Sequence, residues 1–302
     1  MAVNVGQLIT EAEYTTLRGG VILVMGTPTG TGTSAAGYNQ TVTAPAVNPG
    51  DKISAAQWNS LKADVDKAYT HQVGSAPNPA LVTVNADSGI TKTIHDAMET
   101  VVNYIKLPGN RFNLGAGQFT TVSASSKTAT NWKDIRIHDV TFTWTSANAV
   151  KAFFNAGGKI TFTSSLSYTG SEAKTLDWQT MMDPGTITMN YIDVTKSGAN
   201  GTIPNSAGYY DLSATEVQIL ERGGVTPYSE NRYNAYASAI TNGVRLRIQY
   251  QDNDVGDQTG VGPAVDELVR GTLTSAVSYI RPTGSNVQVD APAIALGATN
   301  NM

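Results

Sequence analysis

Thr141-Phe142-Thr143-Trp144-Thr145 sets one large aromatic residue between threonines at every second position. That period of two puts Phe142 and Trp144 on one face of an extended chain and the threonines on the other, the pattern of a half-buried strand. The same alternation returns in Ile160, Phe162, Ser164 and Leu166. Further strands are predicted at 186–194, 215–222, 233–240, 244–252, 271–280 and 286–289, with turn-forming residues between them. Many short strands separated by turns predict an antiparallel β-sandwich. Two short helices interrupt it. One covers 146–156 and stops at Gly157-Gly158, residues that tolerate a left-handed cap. The other covers 172–182 and stops at Asp183-Pro184-Gly185.

Upstream the period changes from two to 3.6. Thr10 with Glu13 forms a capping-box pattern, followed by Tyr14, Leu17, Val21 and Val24 at helical spacing. Ser54 with Gln57 repeats it, followed by Trp58, Leu61, Val65 and Ala68. The two starts obey one formula, Ile-[Thr/Ser]-x-Ala-[Glu/Gln]-[Tyr/Trp]-x-x-Leu, from Ile9 and from Ile53. Ile90-Thr91 begins a looser third copy, ahead of a helix near 93–106 with Ile94, Met98, Val101 and Ile105 on one face. Duplicated amphipathic helices bury their faces on one another or on a neighbouring chain. Gly26 to Gly50, rich in Gly, Thr, Ala and Pro, is predicted to be a long exposed arm.

The expected class is therefore α+β. An N-terminal helical module at 1–113 precedes a polar linker at 114–131 and an antiparallel β-sandwich with short inserted helices at 132–302.

Composition narrows the function. Of 302 residues, 40% are hydrophobic but only 15% charged, against roughly 25% in an average soluble chain. Thr, Ser, Asn and Gly fill the difference and suit strands, turns and uncharged contact surfaces. Twenty basic and 24 acidic residues give a net charge of -4, and no Lys/Arg cluster has the density that direct nucleic-acid binding needs. There is no cysteine, which excludes disulfides, Cys-ligated zinc and thiol chemistry. Val21-Ile22-Leu23-Val24-Met25 is too short an apolar run for a signal-peptide core or a membrane span. No membrane partner is expected, and the chain should stay in the cytosol unless it leaves inside an assembly.

Chemistry-bearing motifs are sparse. Asp252, Asp254 and Asp257, with Asp266 and Glu267 further on, cluster near Gly256 and could give oxygen ligands to a hard cation such as calcium. Their spacing is not that of a helical calcium loop, and a polar turn capped by Asp and Asn is the simpler account of them. His71, His95 and His138 are too far apart for a recognisable metal motif. Gly26 to Ser34 lacks the Gly-Lys-[Ser/Thr] ending of a phosphate loop. Neither a nucleophile elbow nor a His-Glu-x-x-His helix occurs. Glu221, Glu230, Asp252 and Asp254 are only formal acid–base candidates, so no catalytic residue and no organic cofactor is expected. Tyr209, Tyr210, Tyr228, Tyr233 and Tyr236 crowd together in sequence, which ordinary strand packing explains first, with an interface hot spot or a surface that stacks on a sugar ring as the functional alternatives.

Several phrases have a family likeness. Val150-Lys151-Ala152-Phe153-Phe154-Asn155-Ala156-Gly157-Gly158-Lys159-Ile160 resembles wording that recurs in virion structural proteins of tailed bacteriophages, especially those related to the large contractile-tailed cyanophages. Lys174 to Trp178, Gly208 to Leu212, and Asp254 to Glu267 running on into Gly271 to Ser275 are similar to the same family in order and spacing. Gly37-Tyr38-Asn39-Gln40, Gln57-Trp58-Asn59 and His71-Gln72-Val73-Gly74 resemble a companion module. The resemblance implies a non-enzymatic tail, neck or collar protein, assembled in the bacterial host cytoplasm and present in the virion in several copies. Its partners would be other copies of itself and other virion proteins. The rival expectation is a fibre-associated module that binds a host glycan.

Overall fold

The computed structural model describes residues 9–86, 88–115, 117–254 and 268–302. They form two compact units. The first comprises the chain up to Thr120 together with 151–158 and 281–290, and the second holds the remainder.

Three long helices make the first unit: α1 (Glu11–Met25), α2 (Ala55–Val73) and α3 (Lys92–Lys106), followed by the single turn α4 (Pro108–Arg111). The two duplicated starts are both capping boxes. Glu13 N donates to Thr10 Oγ1 at 3.2 Å, and Thr10 N donates back to Glu13 Oε2 at 2.8 Å. Gln57 N and Ser54 N make the same exchange at 3.3 and 2.7 Å. Equivalent positions also pack equivalently: Tyr14 and Trp58 are fully buried, as are Leu17 and Leu61 nearly so. Thr91 caps α3 through Ile94 N, but Ile94 offers no side-chain acceptor in return, which is why the third copy is faint.

All three helices run in the same direction. Near their starts, Tyr14 Oη donates to Gln57 O at 3.3 Å. Near their ends, Gln72 Nε2 donates to Ile105 O at 3.1 Å. Gly20 of α1 lies against Val102 of α3, so close that a Cβ there would stand 2.6 Å from Val102 Cγ1. A parallel bundle needs return connections as long as its helices, and segments 26–54 and 74–91 serve as these returns. The first is therefore no exposed arm. Ala35, Ala36, Tyr38 and Ala44 are buried. The Asp64 carboxylate accepts from Thr43 N at 2.7 Å and Ala44 N at 2.8 Å, and Tyr38 Oη donates to Arg111 O. Low hydropathy misled the reading of this segment because its backbone groups are satisfied by buried polar side chains.

The second unit is the predicted sandwich. One sheet has the order β1-β9-β3-β4-β5, formed by β1 (Phe119–Trp132), β3 (Lys159–Ser167), β4 (Ile187–Met189), β5 (Val194–Lys196) and β9 (Val269–Pro282). The other has the order β10-β2-β8-β7-β6, formed by β2 (Asp134–Thr143), β6 (Val217–Gly223), β7 (Arg232–Ile240), β8 (Gly243–Asp252) and β10 (Ala293–Leu296). Adjoining strands in the second sheet are antiparallel throughout. Helix α5 (Ala147–Asn155) leads into β3, and α6 (Ala173–Met181) follows it. Gly157, at φ +91, makes the left-handed stop that its sequence predicts.

Two expectations are corrected here. Residues 114–131 are not a linker, since β1 begins at Phe119 and runs to Trp132. Residues 286–289 form no strand and contribute only a bridge between Thr283 and Gln288.

The sandwich interior is partly polar. His138 on β2 lies between two hydroxyls of the facing sheet, with Nε2 2.8 Å from Ser125 Oγ and Nδ1 2.9 Å from Ser275 Oγ. Ser164 on β3 bonds both Tyr233 Oη and Tyr250 Oη. His138 and Ser164 each find partners across the interface, so these contacts also fix how the sheets face.

Candidate functional site

The densest group of buried charge lies where β8 ends and α6 begins. β8 alternates inward and outward and delivers Tyr250 and Asp252 to the same face. On α6, Lys174 and Trp178 are one turn apart and share the inward side. Lys174 Nζ stands 2.7 Å from Asp252 Oδ1, and both side chains are essentially inaccessible, at 0% and 1%. Lys174 Nζ also donates to the Asp254 main-chain oxygen.

Aromatic rings sit on the same helix and strand as this pair. Trp132 meets Trp178 edge to face at 4.8 Å and Tyr250 at 6.4 Å, spanning the helix and the strand that carry the pair. In that dry setting burial pushes the Asp252 carboxyl up to about 6, against the opposing pull of Lys174. Burial also raises Asp254 and Asp177. Asp177 accepts from Val225 N at 3.2 Å, and Asp254 Oδ2 is buried with no hydrogen-bond partner among the described residues.

The acidic stretch flagged in the sequence thus divides. Asp252 and Asp254 come together around Lys174, the positive charge the chain itself supplies, while Asp257 lies outside the described residues, as do Asp266 and Glu267. Sequence reading missed Lys174. The available signal was a lysine one turn before Trp178 on the apolar side of a short helix.

The five tyrosines do not form one patch. Tyr233 is fully buried and stacks on Tyr250 at 5.1 Å, and Tyr228 is 5% exposed. Neither is available to a partner, because strand alternation turns Tyr233 inward. Tyr209 and Tyr210 pair with each other at 4.9 Å on a 3-10 turn, and Tyr236 lies under the Arg247 guanidinium at 4.8 Å; these three are half-buried.

All three histidines are buried, His71 and His138 completely. His71 Nε2 donates to Ala156 O at 2.9 Å, and its ring meets Tyr38 at 5.1 Å. Burial lowers both imidazoles to about 4, so they are neutral near pH 7. His95, Asp96 and Glu99 bring three potential ligand atoms within 4.8 Å of one another on α3, but Asp96 is also the ion-pair partner of Lys92. Glu221 and Glu230 are exposed.

In the helical unit, a concavity of about 780 Å³ opens at the helix starts, lined by Ile9, Ile53, Val84 and Ile90. The amides of Thr10 and Ser54 on its rim are already taken by Glu13 and Gln57. Among the described residues no helix is long and apolar enough to cross a membrane. Comparison of the chain with protein-family models, curated proteins and solved structures finds no match.

Proposed function

We propose that this chain is a structural component of a bacteriophage particle, a tail, neck or collar protein that acts by multi-copy assembly with its neighbours. The observation that carries the reading is where the family-like phrases fall. Within the described residues they include positions that build the fold: Phe153, Phe154, Trp178 and Lys174 are all fully buried, and Gly157 backs onto Leu114 too closely for any Cβ. A sequence likeness concentrated at packing positions describes a scaffold and presents no reactive group to solvent.

The sheet edges support the same reading. β5 has three residues and β10 four, while β6 is covered by a bridge from Thr202 to Glu221. β1 is different: it is a 14-residue edge strand, mostly exposed, with one charge, Lys127. Proteins blunt such edges unless another chain uses them. β1 is the surface through which we expect a neighbouring virion protein to add a strand.

Quantitative mass spectrometry of purified particles from the encoding phage tests this. The chain should be present in a fixed multiple of copies, and its absence from the particle would overturn the proposal. Saturable binding to a host glycan by the isolated protein would instead favour the fibre-associated reading.

A further inference from the structure

We propose that Lys174 and Asp252 condense spontaneously, forming an amide between the lysine ε-nitrogen and the aspartate side-chain carbonyl that welds α6 to β8. The inference does not depend on the phage reading, because it follows from the chemistry of the pair alone.

The first argument is placement. The reacting groups already form a buried ion pair at 2.7 Å, one on a helix and one on a central strand of the sandwich. Fixing two reactants in this way raises their effective concentration to roughly 10⁵–10⁸ M in favourable intramolecular systems. The second is desolvation. A fully buried lysine is rare, and a buried ion pair bears a large desolvation cost that its mutual attraction often fails to offset. Moving one proton from the ammonium to the carboxylate gives a neutral amine beside a neutral carboxylic acid, the forms that can condense. Burial already raises the Asp252 carboxyl toward the protonated form.

The step balances without an outside reagent. The amine lone pair attacks Cγ of the neutral acid, and an N–C bond forms. The nitrogen gives up one proton, one hydroxyl leaves Cγ with it, and the products are a secondary amide and one water. Asp254 is placed to carry that proton. Its charge is felt by both Lys174 and Asp252, and its Oδ2 has no other hydrogen-bond partner among the described residues. Both side chains are essentially inaccessible, which limits the water that would reverse the reaction. The product replaces two buried charges with one neutral amide.

Intact-mass spectrometry of the purified full-length chain under denaturing conditions decides the matter. The expected mass is lower than the sequence mass by one water, and digestion should yield a branched peptide joining the segments that carry Lys174 and Asp252. Lys174→Arg and Asp252→Ala should each restore the full mass. Asp252→Asn should still cross-link, losing one ammonia in place of water. Asp254→Ala should leave a large unlinked fraction that closes slowly. If the variants fail to fold, the native chain alone remains decisive. A full sequence mass in folded protein, or a water loss without the branched peptide, overturns the proposal.

Discussion

The Arg245 guanidinium grips the Asp139 carboxylate with two parallel bonds, Nε to Oδ1 at 2.9 Å and Nη2 to Oδ2 at 2.6 Å. Asp139 is fully buried on β2, and Arg245 lies opposite Thr141 on the neighbouring β8. Burial works to raise the Asp139 carboxyl, but the Arg245 and Thr299 hydrogen bonds prevail and hold it below the ordinary carboxylate range. Thr299 approaches through both its amide and its hydroxyl, so this one carboxylate also docks the C-terminal segment after β10.

Asp139→Ala should therefore act at two places. It takes the bidentate partner from Arg245, which keeps Glu216 at 3.4 Å, and removes the carboxylate that holds Thr299, and the expected loss is on the order of 3 kcal/mol. Denaturant unfolding measures the loss, and hydrogen exchange at 297–301 reads the release. An unchanged midpoint would mean that the pair contributes nothing net.

The buried histidines set an acid limit. His71 and His138 have folded values of about 4 against 6.5 in the unfolded chain, so the unfolded state takes up protons first as pH falls. Their contribution is fully present above pH 6.5 and is lost between there and about 4, at roughly 3 kcal/mol each. Asp252, raised to about 6, tilts the other way over part of that range and softens the net slope. Thermal melts from pH 7.5 to 4 should show the fall, and a flat profile would refute it.

Neighbouring glycines in α1 should respond in opposite senses. A Cβ on Gly19 meets nothing within 4 Å, so Gly19→Ala should stabilise by up to about 1 kcal/mol through helix propensity. The same change at Gly20 runs into Val102 and Lys106 and should destabilise by about 1–3 kcal/mol. Calorimetry on the two variants separates packing from propensity.

Asp64→Ala removes the acceptor for Thr43 N, Thr43 Oγ1 and Ala44 N together. Two buried or half-buried amides then lack a partner, which should cost about 2–4 kcal/mol and loosen the return segment 26–54. Limited proteolysis should cut that segment in the variant and spare it in the parent protein.

The sequence announced its helices and central strands because each states its own boundary. Thr10 with Glu13, Ser54 with Gln57 and Gly157 are local devices that work regardless of what surrounds them. β1 was illegible for the opposite reason. Its contacts are made by residues such as Ser125, which faces His138, so no apolar period exists to be seen. The buried pair at the candidate site was half visible, since Asp252 drew attention as an acid and Lys174 only as part of a family-like phrase. Only the fold brings residues so far apart in the chain to one point, as it separates tyrosines that adjoin in sequence.

Three helices laid in one direction add their peptide dipoles where an up-and-down bundle would cancel them. The rim that holds Ile9, Ile53 and Ile90 is thus a positive pole, worth roughly half an elementary charge per helix. A polypeptide of formal charge -4 thereby acquires an electrical axis inside its helical unit, with a different sign presented at each end of that bundle.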